Sequence, residues 1–138
     1  MNGNSSTRQV IVDKNVGWLN GLTIDYILNR IWWTDARLDT IESADINGNH
    51  RRIVLKGNSL EHPFGISLFL DNMYWTDWKS DEVYRANKFT GEDEVTLATG
   101  LQIGMDVVVV HRQRQAVGEY NLFGLVRKIL SWQDVQFF

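Results

Sequence analysis

The 138-residue chain has no cysteine, a single proline and no excess of positive charge. Each shortage closes off a class of protein. Without cysteine there is no disulfide framework and no thiolate metal site. Fourteen basic against 17 acidic residues leave a formal net charge of −3, so no basic field draws in nucleic acid or an anionic membrane surface. No apolar run approaches the roughly 20 residues that span a bilayer; the longest aliphatic stretch, Val107 to Val110, has strand length. Residues 1–15 lack the basic end and apolar stretch of a secretory leader. With proline so scarce, turns fall to Asn2-Gly3, Asn20-Gly21 and Asn47-Gly48. The length is that of one domain.

Aromatic residues, by contrast, are abundant. Six tryptophans suit packed β-layers, and burying each ring stabilises by on the order of 1.5–3 kcal/mol. Two of them sit in a repeat. Ile31-Trp32-Trp33-Thr34-Asp35 returns as Met73-Tyr74-Trp75-Thr76-Asp77, with Trp33 and Trp75 42 residues apart. A Gly and an aliphatic precede each copy (Gly21-Leu22, Gly65-Ile66). An alternating segment follows each (Thr40 to Asp45, Glu82 to Asn87), then a turn glycine (Gly48, Gly91). Arg52-Ile53-Val54-Leu55 and Glu94-Val95-Thr96-Leu97 close the two units. A period near 42 made of short alternating strands predicts one four-stranded propeller blade per unit.

Within Ile31–Asp35, Ile31, Trp33 and Asp35 share one face while Trp32 and Thr34 share the other. A strand apolar on both faces lies between neighbouring sheets. The Asp that ends each strand is expected to accept hydrogen bonds from the following turn or a neighbouring blade, as scaffold. Residues 1–12 align with Ile46 to Leu55, so the chain opens late in an earlier blade. Gly104-Met105-Asp106-Val107 aligns with Gly65-Ile66-Ser67-Leu68, so a third blade begins. The expected organisation is a blade end at 1–17, blades at about 18–60 and 61–101, and a strand stub at 102–115. Two repeats and two stubs read as an arc of a larger ring with open edges. Residues 116–138 leave the repeat. Leu122, Leu125, Val126, Ile129 and Leu130 give a short helical pattern, and the tail is expected to be helical or disordered and to continue no blade.

The two WTD strands, Trp18 to Asp25, His62-Pro63-Phe64-Gly65 and Asn87-Lys88-Phe89-Thr90-Gly91 together resemble the YWTD propellers of the low-density lipoprotein receptor family. The likeness is to endocytic receptors of the megalin kind and to the Wnt co-receptors, and covers about residues 1–115. It implies an all-β fold, an incomplete six-bladed YWTD β-propeller with about two full four-stranded blades plus parts of two others. It also implies an extracellular, membrane-bound parent that binds protein ligands and adjoins an EGF-like module. Leu19 stands where the family usually has proline, and Trp32 where it has tyrosine.

Candidate chemistry is sparse. Asp45 to His50 begins like a calcium loop, but His50 stands at the glycine position and Lys56 replaces the bidentate Glu, which leaves a hairpin turn. His50, His62 and His111 lack metal-ligand spacing. By resemblance to acid-releasing receptors, His62 beside Pro63 is the best placed for a pH switch. Gly65-Ile66-Ser67-Leu68-Phe69 fails the nucleophile-elbow pattern at its final position. No catalytic residue, metal or cofactor is expected. Ligand-binding candidates follow each WTD: Arg37, Leu38 and Asp39 in one unit, Trp78, Lys79 and Ser80 in the other. Resemblance to the Wnt co-receptors singles out Asp39, Trp78 and Lys79; packing of Trp78 on the next blade's loop is the structural alternative. Asn4-Ser5-Ser6 is a glycosylation sequon.

The leading expectation is a non-enzymatic extracellular module of an endocytic receptor, its partners being protein ligands, an EGF-like module and the remaining blades. Alternatives are a Wnt co-receptor propeller, a nidogen-like matrix protein, a propeller hydrolase with a channel metal, and a truncated product without function.

Overall fold

The computed structural model describes residues 8–57, 59–102 and 104–111, together with the backbone of Val135–Phe137. Asn4 therefore lies outside the described residues. Among the described residues, all repetitive structure is strand. Strands β1 (Leu19–Asp25), β2 (Arg30–Asp35), β3 (Thr40–Asp45) and β4 (Arg52–Lys56) form one antiparallel sheet in chain order. Strands β5 (Pro63–Phe69), β6 (Asn72–Asp77), β7 (Glu82–Asn87) and β8 (Val95–Ala98) form a second of the same design. A third pair follows, β9 (Val107–Val109) with β10 (Val135–Phe137). The fold is an arc of a YWTD propeller, two four-stranded blades side by side.

The alternation in β2 and β6 explains the stacking. Trp32 and Ile41, with Val54 and Leu55 beside them, form one core with Ile66, Leu68, Met73, Trp75, Tyr84 and Ala86 of the second sheet. Tyr74 and Val83, on the opposite face of that sheet, form the next core with Val107 and Val109. Both faces of β6 are thus covered by a core, as its two-sided apolar pattern requires. The two blades protect their equivalent tryptophans by different chemistry. Tyr84 stacks on Trp75 with centroids 5.3 Å apart. At the equivalent place in the first blade, Glu42 holds Arg51 through a 2.6 Å ion pair, and its guanidinium lies 5.3 Å from the Trp33 ring centre.

The threonine of each motif ties the innermost strand to the second. Pairing of β1 with β2 shifts between Leu19 and Leu22, and that of β5 with β6 shifts between Pro63 and Ile66. At each irregularity a glycine N–H leaves the ladder and donates to the threonine hydroxyl: Gly21 to Thr34 Oγ1 at 2.8 Å, Gly65 to Thr76 Oγ1 at 2.9 Å. The Thr34 hydroxyl then donates to the Phe64 carbonyl of the next blade at 2.6 Å. One side chain therefore serves two blades. Glycine is required here by close approach: a Cβ on Gly65 would stand 2.6 Å from Asp106 Cα.

The register bears out the match of Gly21-Leu22 with Gly65-Ile66 and corrects two other parts of the repeat alignment. Trp33 and Trp75 pair with Leu22 and Ile66, so the innermost strands are offset by 44 residues although the WTD strands are offset by 42. The difference lies in the turn before each WTD strand, four residues at 26–29 and two at 70–71. In the outermost strands Glu42 pairs with Ile53 and Tyr84 with Thr96, so β8 is matched one residue later than residue types suggest. The third blade also shifts. The space above Gly21 and Gly65 is bounded, each at 3.0 Å, by the nitrogens of Ile66 and Val107. Val107 thus stands in Ile66's place and Asp106 in Gly65's, two residues from the expected match of Gly104 with Gly65.

The tail differs from expectation as well. Val135, Gln136 and Phe137 pair antiparallel with Val109, Val108 and Val107, so the tail contributes a strand beside β9. A three-residue strand carries no periodicity to detect. The helical pattern at 122–130 lies outside the described residues. On the other side of the arc, an apolar cleft of about 480 Å³ is lined by Val10, Ile11, Leu22, Ile31 and Trp33 among others.

Gly65→Ala is expected to destabilise the fold by about 1–3 kcal/mol, the usual cost of forcing atoms into a packed contact. Urea unfolding reads this as a lower midpoint at constant slope; an unmoved midpoint would contradict the close approach.

Candidate functional site

Antiparallel order assigns every connection to one of two faces. The segments 36–39, 57–62 and 78–81 gather at one, where β2 and β6 end and β5 begins. The candidates after each WTD all lie here.

The aspartates build this face. Asp35 and Asp77 are 0% and 1% exposed, a costly place for a carboxylate without donors. Each receives four backbone N–H groups. Asp35 accepts from Gly17 (2.6 Å) and Trp18 (3.0 Å) ahead of β1, and from Arg37 (3.0 Å) and Leu38 (3.1 Å) in the following turn. Asp77 accepts from Glu61 (2.9 Å) and His62 (2.8 Å) ahead of β5, and from Lys79 (2.9 Å) and Ser80 (3.3 Å). One backbone bond completes each set, Ala36 N–H to the Trp18 carbonyl at 2.9 Å and Trp78 N–H to that of His62 at 3.0 Å. Burial alone would raise the Asp35 pKa; the four donated bonds, led by Gly17, outweigh it and hold the carboxyl below its ordinary value.

Those identical frames carry different side chains. Trp18 and His62 occupy equivalent places, as do Ala36 and Trp78. Around Trp78 they form an aromatic shelf. Its ring stacks on His62 with centroids 5.6 Å apart and planes at 25°, and meets Phe64 at 5.3 Å. Trp18 closes on the other side of His62 at 6.2 Å. Trp78 keeps 38% of its surface exposed and Trp18 59%. Trp78 therefore packs on its own blade's lead-in and inner strand, while the shelf reaches back to the first blade through Trp18.

Charges border the shelf. Lys79 Nζ lies 2.6 Å from Glu61 Oε2, both side chains being largely exposed. The hydrogen bond and charge of Glu61, with the more remote charges of Asp39 and Asp77, push the Lys79 pKa above its ordinary value. Thus Asp39, Trp78 and Lys79 come together, whereas Arg37 lies exposed over Gly17 on the first blade's side. Glu61, Phe64 and Trp18 were not among the sequence candidates. The equivalence of Trp18 with His62 was available as a signal, since each stands three residues before the matched glycines Gly21 and Gly65.

The remaining sequence candidates resolve as local structure. Asp45 caps its hairpin, accepting from Asn47 and Asn49 N–H at 2.9 and 2.8 Å and meeting His50 Nδ1 at 3.2 Å. His111 meets Phe69 with ring centres 4.5 Å apart and planes tilted by 44°. On the opposite face Lys88 reaches into the first blade to pair with buried Asp25 at 2.6 Å.

Because the folded Asp35 carboxyl has a depressed pKa, its stabilisation is complete above the unfolded value of about 4 and is lost as pH falls through the folded value. Asp35→Asn is expected to flatten the acid limb of stability measured by urea unfolding between pH 2 and 6. An acid limb as steep as the parent's would show that this carboxylate is not held as described.

Three comparisons bear on this geometry. Residues 29–70 match the family model for the low-density lipoprotein receptor repeat class B. Low-density lipoprotein receptor-related protein 4 of Homo sapiens and that of Mus musculus are each 42% identical over 95 residues, 69% of this chain. The chain spans only 5% of the length of either relative. Among solved structures, the crystal structure of a nidogen/laminin complex contains a similar chain, with TM-score 0.59 and 32% identity, over 64% of this chain and 35% of that one.

Proposed function

From a chain that carries a low-density lipoprotein receptor class B repeat, we propose a non-catalytic protein-binding module of a receptor exposed on the extracellular side of the cell membrane. It serves ligand capture and receptor-mediated uptake, in company with further blades and an EGF-like module. The module comprises residues 1–115, and its ligand surface is the face bearing Arg37, Asp39, Trp78 and Lys79.

One observation carries this reading. The two blades share the Asp-centred frame but not its decoration: Gly17, Trp18, Ala36 and Arg37 in one correspond to Glu61, His62, Trp78 and Lys79 in the other. Scaffold positions recur because every blade needs them. A half-exposed tryptophan where the other blade has a buried alanine, set beside exposed charges, has the composition of a recognition hot spot. The nidogen likeness favours a second reading, a matrix protein whose propeller binds another matrix protein through the same face.

In a complete propeller containing these two blades, exchanging the acidic charges for basic ones (Asp39→Lys with Glu61→Lys) is expected to weaken a captured protein ligand about tenfold, or 1.4 kcal/mol. Binding that ignores the exchange would remove this face from the proposal.

A further inference from the structure

Two adjoining contacts define what the shelf can hold. The His62–Trp78 stack and the Glu61–Lys79 ion pair are formed by consecutive residues of the same two segments, joined by the Trp78 N–H bond to the His62 carbonyl. Indole surface therefore adjoins a charged group: the Glu61–Lys79 pair, with the charge of Asp39 acting on Lys79 from further away. That group carries two negative charges against one positive. It favours an incoming cation and opposes an anion.

We propose that the shelf takes the guanidinium of an arginine presented by the protein ligand, stacked on Trp78 and paired with Glu61. This deepens the protein-binding reading above and rests on it. A guanidinium fits both halves of the site. Its planar face stacks on indole, where a cation gains about 0.5–2 kcal/mol, and its edge forks onto a carboxylate. An ammonium offers only a point charge. The resident ion pair is no obstacle, because the Lys79 and Glu61 side chains are 69% and 49% exposed and such pairs add little stability. Lys79 is then a competitor for Glu61. The first blade has no equivalent device: its counterparts of Glu61, His62, Trp78 and Lys79 are Gly17, Trp18, Ala36 and Arg37.

The test is a titration of the full 138-residue chain with the blocked tripeptide acetyl-Gly-Arg-Gly-amide, read from the indole NMR resonances. The control probe carries citrulline, which keeps the shape of arginine without its charge. Saturable shifts at Trp78 are expected with arginine, and at least tenfold weaker binding with citrulline. Glu61→Gln is expected to weaken the arginine probe at least fivefold, and Lys79→Ala to tighten it about threefold. Unmoved resonances of buried Trp32, Trp33 and Trp75 verify that each variant is folded. Equal binding of citrulline, no shift with either probe, or weaker binding by Lys79→Ala overturns the inference. Should the arginine probe fail while the charge exchange still weakens a protein ligand, the arginine assignment falls and the protein-binding reading stands.

Discussion

A buried carboxylate held by four backbone N–H groups is the interaction on which the rest of this structure depends. Asp35 and Asp77 each bind the lead-in to an inner strand and the turn that leaves the second strand. Removing the aspartate would leave those donors to find water or go unpaired, at a cost of about 1–3 kcal/mol for each one left buried. The neighbouring threonine extends the same logic inward, taking the glycine N–H that the ladder leaves free. Trp75 supplies the third element, a large ring pressed between the two sheets. In the second blade Trp-Thr-Asp thus fastens, in successive residues, blade to blade, inner strand to second strand, and turn to lead-in.

That constraint separates scaffold from surface. Because the frame is the same in both blades, differences between equivalent positions are free to serve recognition. Ala36 is buried where Trp78 is half-exposed, yet the N–H of each donates to an equivalent carbonyl. The backbone is indifferent to which side chain stands there. The same freedom shows inside the core, where an Arg51–Glu42 pair covers Trp33 and a tyrosine covers Trp75. Lys88 paired with Asp25 likewise belongs to one junction alone among the described residues, since Phe69 stands at the position equivalent to Asp25. A repeat fold gives a rigid array of near-identical sockets, and identity is written into them residue by residue.

Much of this was legible in the amino-acid order. The WTD strands, their two-sided burial and the capping aspartates follow from alternation and a repeated spacing. So does the turn at Asp45. Counting residues failed where segments differ in length: one extra residue before Val95 shifts the outermost strand, and in the third blade Asp106 instead of Gly104 takes the glycine position. Long-range partners were invisible for another reason. Asp25 and Lys88 are 63 residues apart, and neither carries a local signal for the other. At the face where β2 and β6 end, Asp39, Trp78 and Lys79 were nameable because they follow the motif. Trp18 and Glu61 were not, because they join the shelf only through folding.

The claim that the two aspartates organise the arc is tested most directly by amide hydrogen exchange at eight positions. These are Gly17, Trp18, Arg37 and Leu38 around Asp35, and Glu61, His62, Lys79 and Ser80 around Asp77. Exchange in each set should be slowed together, and Asp77→Ala should release the second set while leaving the first protected. Exchange at the unstructured rate in the parent chain, or equal loss at both sets in the variant, would contradict it.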